Sequence, residues 1–330
     1  MDLPLLSAFF TVFALTVYTL LDGFDLGVGA LLLLQSDEKS RDRMIDSILP
    51  TWDGNETWLI MAGVALLAAF PIAYGLLLPA FYLPLIAMLL ALGLRGVSFE
   101  FRYQTSQGRG LWDIAFSVGS IVAALMQGLI VGGLVQGVAV DGTAFSGNVF
   151  DVFRPFAMLT ALSVLIGYVV LGGGWLHLKG SASLQAFAAR SLRVSVVAFV
   201  VLAAAVCATA PSVQPALAAA WHQHATALAC LSATFLFAGI GLFRAVDGAL
   251  AWVPFALGLT MFAAALVGLV TAIYPDIVPF RLSIWQAASA TRSHVFLLAG
   301  AVIVTPVVLG YSAFAYRVFR GRTPEEGWES

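Results

Sequence analysis

Charge is scarce in this chain, and that scarcity narrows what the chain can be. Only 10% of its 330 residues are Asp, Glu, Lys or Arg, against roughly a quarter in soluble domains, too few to build the solvated shell of a globular protein. A net charge of −2 without a basic run argues against nucleic acid as a partner. The two cysteines, Cys207 and Cys230, lie in separate apolar runs with no CxxC or Cys/His cluster, which points to core thiols rather than a disulfide or metal ligands. Of the four histidines, His177, His222, His224 and His294, none stands at the centre of an apolar run or pairs with Met or Cys at a haem-ligating spacing, so all four read as wet, interfacial side chains. A Gly-rich phosphate loop, a nucleophile elbow and an HExxH motif are missing as well. The start, Met1 to Pro4, has neither a basic region nor a small-residue cleavage site, so the first apolar run is expected to be a retained helix.

What is present is apolar: 61% hydrophobic residues and a mean hydropathy of +0.95. It comes in long uniform blocks without the alternation of a transmembrane barrel. The fold class is therefore an all-α polytopic membrane protein, one transmembrane domain over residues 1–330, with no linker and no clear internal repeat. Nine spans are expected, at about 4–34, 57–77, 79–95, 112–138, 156–178, 193–210, 225–243, 251–273 and 295–316, with tight joints near Pro79 and Pro211. With the N-terminus outside, Lys39, Arg41, Arg43, Arg95, Arg102, Arg109, Lys179, Arg190, Arg193, Arg244, Arg317, Arg320 and Arg322 fall on the cytoplasmic side. Only Arg154, Arg281 and Arg292 of the 16 Lys and Arg fall outside. That asymmetry selects N-outside, C-inside.

Three polar groups interrupt the apolar blocks. Asp22 and Asp25 stand three apart within the first span and so share a helix face. Counted from Gln35 at 1.5 Å per residue, they lie roughly 20 and 15 Å inward from the cytoplasmic end. Carboxylates at such depth cost roughly 3 kcal/mol each and usually line a protein interior or a water path; an ion pair that only holds helices together is the alternative. Trp52-Asp53-Gly54-Asn55-Glu56-Thr57-Trp58 leads into the second span, where Asp53 can cap the helix, with Glu56 completing a capping box, or can stand at a proton entrance. Arg95 to Arg102 closes the third span. There Arg95 is placed to neutralise Asp22, Asp25 or Asp53, while Glu100 and Arg102 can equally be a solvated interfacial pair. Gln127 and Gln136 on the fourth span either line a path or bond between helices, the commoner use.

These blocks resemble subunit II of cytochrome bd-type quinol oxidases, and most closely the cyanide-insensitive branch. The likeness rests on Asp22-Gly23-Phe24-Asp25-Leu26-Gly27-Val28-Gly29, the Trp52–Trp58 and Arg95–Arg102 runs, Tyr74 with Tyr82-Leu83-Pro84, Tyr274-Pro275-Asp276-Ile277-Val278-Pro279 and Ile284-Trp285, in order along nearly the whole chain. The resemblance implies a nine-helix subunit of a heterodimer in the bacterial cytoplasmic (inner) membrane, paired pseudosymmetrically with a subunit I that carries haem b and haem d. It implies quinol oxidation, with ubiquinone or menaquinone as substrate or structural lipid, and reduction of O2 to water with protons drawn from the cytoplasm. A small accessory subunit is a further possible partner. By motif position, Asp22, Asp25 and Asp53 become proton-path candidates with Arg95 and Glu100 setting their charge, and Trp52 a quinone contact; no metal ligand is expected here. Glu56 stands where some family members carry Gln, which speaks against a direct proton role. An ion-coupled transporter or a purely structural subunit are the rival readings of the same buried carboxylates.

Overall fold

The computed structural model describes residues 1–105 and 108–323. Its main elements are α1 (Leu3–Leu32), α2 (Glu38–Asp46), α3 (Trp52–Ala69), α4 (Pro71–Ala80), α5 (Tyr82–Gln104), α6 (Arg109–Gln136), α7 (Pro155–Lys179), α8 (Ala182–Val213), α9 (Pro215–Gln223), α10 (Ala225–Ala245), α11 (Val253–Ile273) and α12 (Thr291–Val318). Two short antiparallel hairpins, β1–β2 (Val140–Asp141, Ala144–Phe145) and β3–β4 (Asp276–Val278, Leu282–Ser283), fill the α6–α7 and α11–α12 connections.

Eight of these helices are long and apolar enough to cross a membrane, against the nine spans expected. The difference is the second. Its chain breaks at Phe70, which precedes Pro71 and takes ψ 60°, because a residue before proline is pushed out of the helical region. The result is an eighteen-residue α3 with a polar first turn, followed by the ten-residue α4. The other tight joint moves for the same reason: Pro211 is accommodated inside α8, and the break falls at Gln214, just before Pro215. The third span also runs longer than expected, through Gln104. Arg95, expected at a helix end, therefore lies in mid-helix.

The packing is that of a protein in an apolar solvent. Phe296 and Val302 are 83% and 74% exposed, while Asp22, Asp25 and Arg95 are completely buried. In lipid the hydrophobic drive between helices is small, and close packing takes over. α1 is the central helix, touching α3, α6, α7, α11 and α12. Its crossing with α7 is made by glycines: a Cβ on Gly27 would collide with the Tyr168 carbonyl, and one on Gly172 with the Gly27–Val28 backbone. Next to the crossing Phe24 stacks on Trp175 at 4.4 Å, and Phe255 meets both rings edge-on.

The two ends of the bundle differ. One carries both hairpins and α4, with Trp285 Nε1 donating to Asp2 at 2.9 Å. The other carries amphipathic α2, capped by Asp37, whose carboxylate accepts from the Ser40 hydroxyl and amide at 2.7 and 2.9 Å and is held below the usual carboxylate range by those bonds. Several sequence readings change. Cys207 and Cys230 are exposed on α8 and α10 instead of lying in the core. His177 and His294 are buried rather than wet: His294 Nδ1 pairs with Ser7 Oγ at 2.8 Å, and both His177 ring nitrogens lie 3.2 Å from backbone carbonyls.

Replacing Gly27 by Val should lower the thermal unfolding midpoint of the detergent-solubilised protein by an amount equivalent to about 1–3 kcal/mol or more, since added methyls meet backbone that cannot yield. Gly75→Ala, with nothing within 4 Å of the added carbon, should leave the midpoint unchanged.

Candidate functional site

Three helices bring the polar groups together. α1 supplies Asp22 and Asp25, α3 supplies Asn55 and Glu56, and α5 supplies Arg95. One guanidinium nitrogen, Arg95 Nη2, donates to Asp22 Oδ1 at 2.6 Å and to Glu56 Oε1 at 2.5 Å. Asp25, one turn further along α1, turns instead to α3: its Oδ2 accepts from Asn55 Nδ2 at 2.8 Å, and Asn55 Oδ1 accepts from the Tyr316 hydroxyl of α12 at 3.0 Å. One turn before Asp22, the Tyr18 hydroxyl accepts from Gln127 Nε2 at 2.7 Å, and Gln127 Oε1 accepts from the Tyr168 hydroxyl at 2.6 Å. Gln127 thus bonds between helices, tying α1, α6 and α7. Measured from the end of α1 at Leu32, Asp25 and Asp22 lie about 10 and 15 Å inward, shallower than a count from Gln35 gave because α1 stops three residues earlier.

The charge balance is uneven. Asp22, Asp25 and Glu56 face a single cation, and no second guanidinium or ammonium pairs with them among the described residues. Burying carboxylates without matching positive charge is costly. Two oxygens of the cluster, Asp22 Oδ2 and Asp25 Oδ1, are buried and have no hydrogen-bond partner among the described residues.

The other expected site residues lie apart from this cluster. Asp53 is exposed in the first turn of α3, where Thr51 takes the capping position without a side-chain bond, so no capping box forms. Trp52 stacks on Phe99 at 4.8 Å and borders an open groove of about 310 Å³ between α3 and α5, lined also by Asp53, Glu56, Leu59, Leu92 and Gly96. Glu100 is exposed and makes no ion pair among the described residues. Arg102 does not pair with it. Buried to 1% exposure, Arg102 donates to Asp113 and Asp42 at 2.6 Å, while Arg41 reaches Asp113 at 2.8 Å and Tyr103 bonds Asp46. That second network straps α2 to α5 and α6.

Sequence reasoning did not single out Tyr18, Tyr168, Tyr316, Asp42 and Asp113, and set Glu56 aside; all six belong to these hydrogen-bond networks. Tyr18 had a usable signal, its i, i+4 spacing to Asp22. Tyr316 had none, being 261 residues from Asn55. No three His, Cys, Asp or Glu side chains converge as a metal site among the described residues.

Fold and site together define an α-helical, polytopic membrane protein built around a buried cluster of three carboxyls and one guanidinium. The family model for cytochrome bd terminal oxidase subunit II matches residues 3–319, and the chain belongs to that family. It is 36% identical over 176 residues to the probable cytochrome oxidase subunit 2 of Haemophilus influenzae, covering 51% of this chain and 47% of that protein. It is 35% identical over 185 residues to the cytochrome bd-I ubiquinol oxidase subunit 2 of Escherichia coli, covering 51% and 48%. These alignments span about half the length of either relative. With the cytochrome bd ubiquinol oxidase subunit 2 of Bacillus subtilis the identity is 28% over 315 residues, 92% of this chain and 91% of that one. A chain of the bd oxidase from Geobacillus thermodenitrificans shares the fold at TM-score 0.78 and 15% identity, over 97% of this chain and 99% of that one.

Arg95→Met should destabilise the protein by about 3–5 kcal/mol, because it strips a buried carboxylate of its counter-charge. Adding Asp22→Asn should recover part of that loss, so thermal unfolding of the two single variants and the double variant should be clearly non-additive.

Proposed function

We propose that this chain is subunit II of a bd-type terminal quinol oxidase in the bacterial cytoplasmic membrane and that its buried carboxyls deliver protons to oxygen reduction in a haem-bearing subunit I. The observation that carries this reading is the cluster itself, in which Asp22 and Glu56 share one cation, Asp25 lies one turn away, and two carboxylate oxygens have no hydrogen-bond partner among the described residues. The α2 end is the cytoplasmic face on this reading, with α3 as the ninth crossing. The concentration of Lys and Arg at that end supports it.

Haem b and haem d, held by subunit I, would supply electron transfer and oxygen reduction. His177 of this chain is poorly suited to take them, since both its ring nitrogens face backbone carbonyls. A ubiquinone or menaquinone headgroup fits better, flanked by the Trp52 indole and the apolar side chains of Leu59 and Leu92 at the groove rim. The chain's own work is with protons. Asp53 meets water at the surface, Asp22 and Asp25 hold protons in the interior, and Arg95 keeps the cluster from becoming wholly neutral. Glu100, exposed and apart, would act only through its long-range field.

In membranes carrying the assembled complex, Asp25→Asn or Asp53→Asn should slow quinol-driven oxygen uptake by about tenfold or more, in keeping with a lost proton-transfer group, with haem content unchanged. Full turnover in both variants with intact haem would refute proton delivery and leave a structural subunit.

A further inference from the structure

Asp53 and the inner pair of aspartates do not meet. Asp53 is exposed, whereas Asp22 and Asp25 are sealed from solvent, and a proton cannot cross apolar packing between them without a stepping stone. Glu56 is the only carboxyl among the described residues that touches both regions. It lies one turn along α3 from Asp53, lines the α3–α5 groove with it, and keeps 23% of its side chain exposed. From the same position it accepts 2.5 Å from the Arg95 nitrogen that also holds Asp22.

We propose that Glu56 is the proton-loading carboxyl of this chain, taking each proton from the groove and passing it to Asp22 and Asp25. The proposal rests on the proton-delivery reading above. In the loading step a groove water or the Asp53 carboxyl gives up a proton, an O–H bond forms on Glu56, and the Arg95 bond to Glu56 weakens. Arg95 is left with Asp22 as its counter-charge. In the second step the proton leaves Glu56 for the open Oδ2 of Asp22 or, through an intervening water, the open Oδ1 of Asp25. Glu56 regains its charge and its bond to Arg95, and the cluster's net charge returns to its starting value when the carboxyl that received the proton, Asp22 or Asp25, releases it to the haem-bearing partner. The groups facing this exchange are Arg95 from α5, Asp22 and Asp25 from α1, Asp53 on α3 itself and Tyr316 from α12. One of them is a cation, and its single shared nitrogen is what couples the outer carboxyl to the inner one.

The test uses the assembled oxidase. Glu56→Gln keeps an acceptor for Arg95 but cannot carry a proton, so oxygen uptake should fall about tenfold or more. The wild-type rate should decline as pH rises and Glu56 loads less often, and that alkaline limb should vanish in Glu56→Gln. Glu56→Asp should restore most of the rate. Wild-type turnover and an unchanged pH profile in Glu56→Gln would overturn the proposal, as would a Glu56→Asp variant as slow as the amide. If Glu56→Gln is normal while Asp25→Asn is slow, only this proposal falls; if both are normal, the delivery reading falls with it. Labelling of the unaltered complex with dicyclohexylcarbodiimide, which adds to protonated carboxyls in apolar settings, is independent of any folding defect. The expected result is mass added at Glu56 in step with lost oxygen uptake; Glu56 unlabelled, or labelled with uptake undiminished, would overturn it.

Discussion

Arg95 lies in the middle of α5 with its entire side chain out of solvent, and the helices around it are arranged to answer its charge. A buried guanidinium without a counter-ion is not tolerated in a low-dielectric interior. Asp22 must therefore face α5, and Glu56 must reach across from α3. Those two requirements fix the rotation of α1 and α3 about their axes. Once α1 is so rotated, Asp25 is turned toward α3 and Asn55, and Tyr18 toward Gln127.

Close approach is the second condition. A hydrogen bond of 2.6 Å between α1 and α5 needs helices held at fixed depth, and α1 is held from its other side by α7. The crossing at Gly27 and Gly172 brings the two backbones together where any side chain would part them. Glycine in mid-helix costs stability in water, but in lipid it allows the dispersion contacts that replace the hydrophobic drive. The second network, Arg41, Asp42, Arg102 and Asp113, closes the α2 end over this core. Its partners come from a loop helix and two spans, so it registers α2 against the bundle as the inner pair registers α1.

Much of the fold is legible in the sequence. The long apolar blocks marked the helices, and the departures were local: Pro71 cut the second span short, and the apolar reading ended the third too early because Arg95, Glu100 and Arg102 look like a helix terminus. The site was legible in its residue types but not in its pairings. Asp22, Asp25 and Arg95 stood out as charges in apolar runs, and the structure joins Asp22 to Arg95. The Gln of some family members at the Glu56 position spoke against a proton role for it, and no local pattern showed that helical rotation aims it at Arg95. Asp53 and Glu100, which the motifs put forward instead, face outward. His294 was read as wet because it sits near a span end, yet Ser7 and Phe70 enclose it.

The sequence by itself determined an all-helical membrane protein with carboxyls set in its helices toward one end, because hydropathy and charge asymmetry are carried by consecutive residues and need no partner. Only the tertiary structure decided which carboxyl shares Arg95, which oxygens are left open and where the groove meets the cluster. Those depend on the rotation and depth of helices up to 261 residues apart in the chain, and rotation is set by packing against neighbours, which no local pattern encodes.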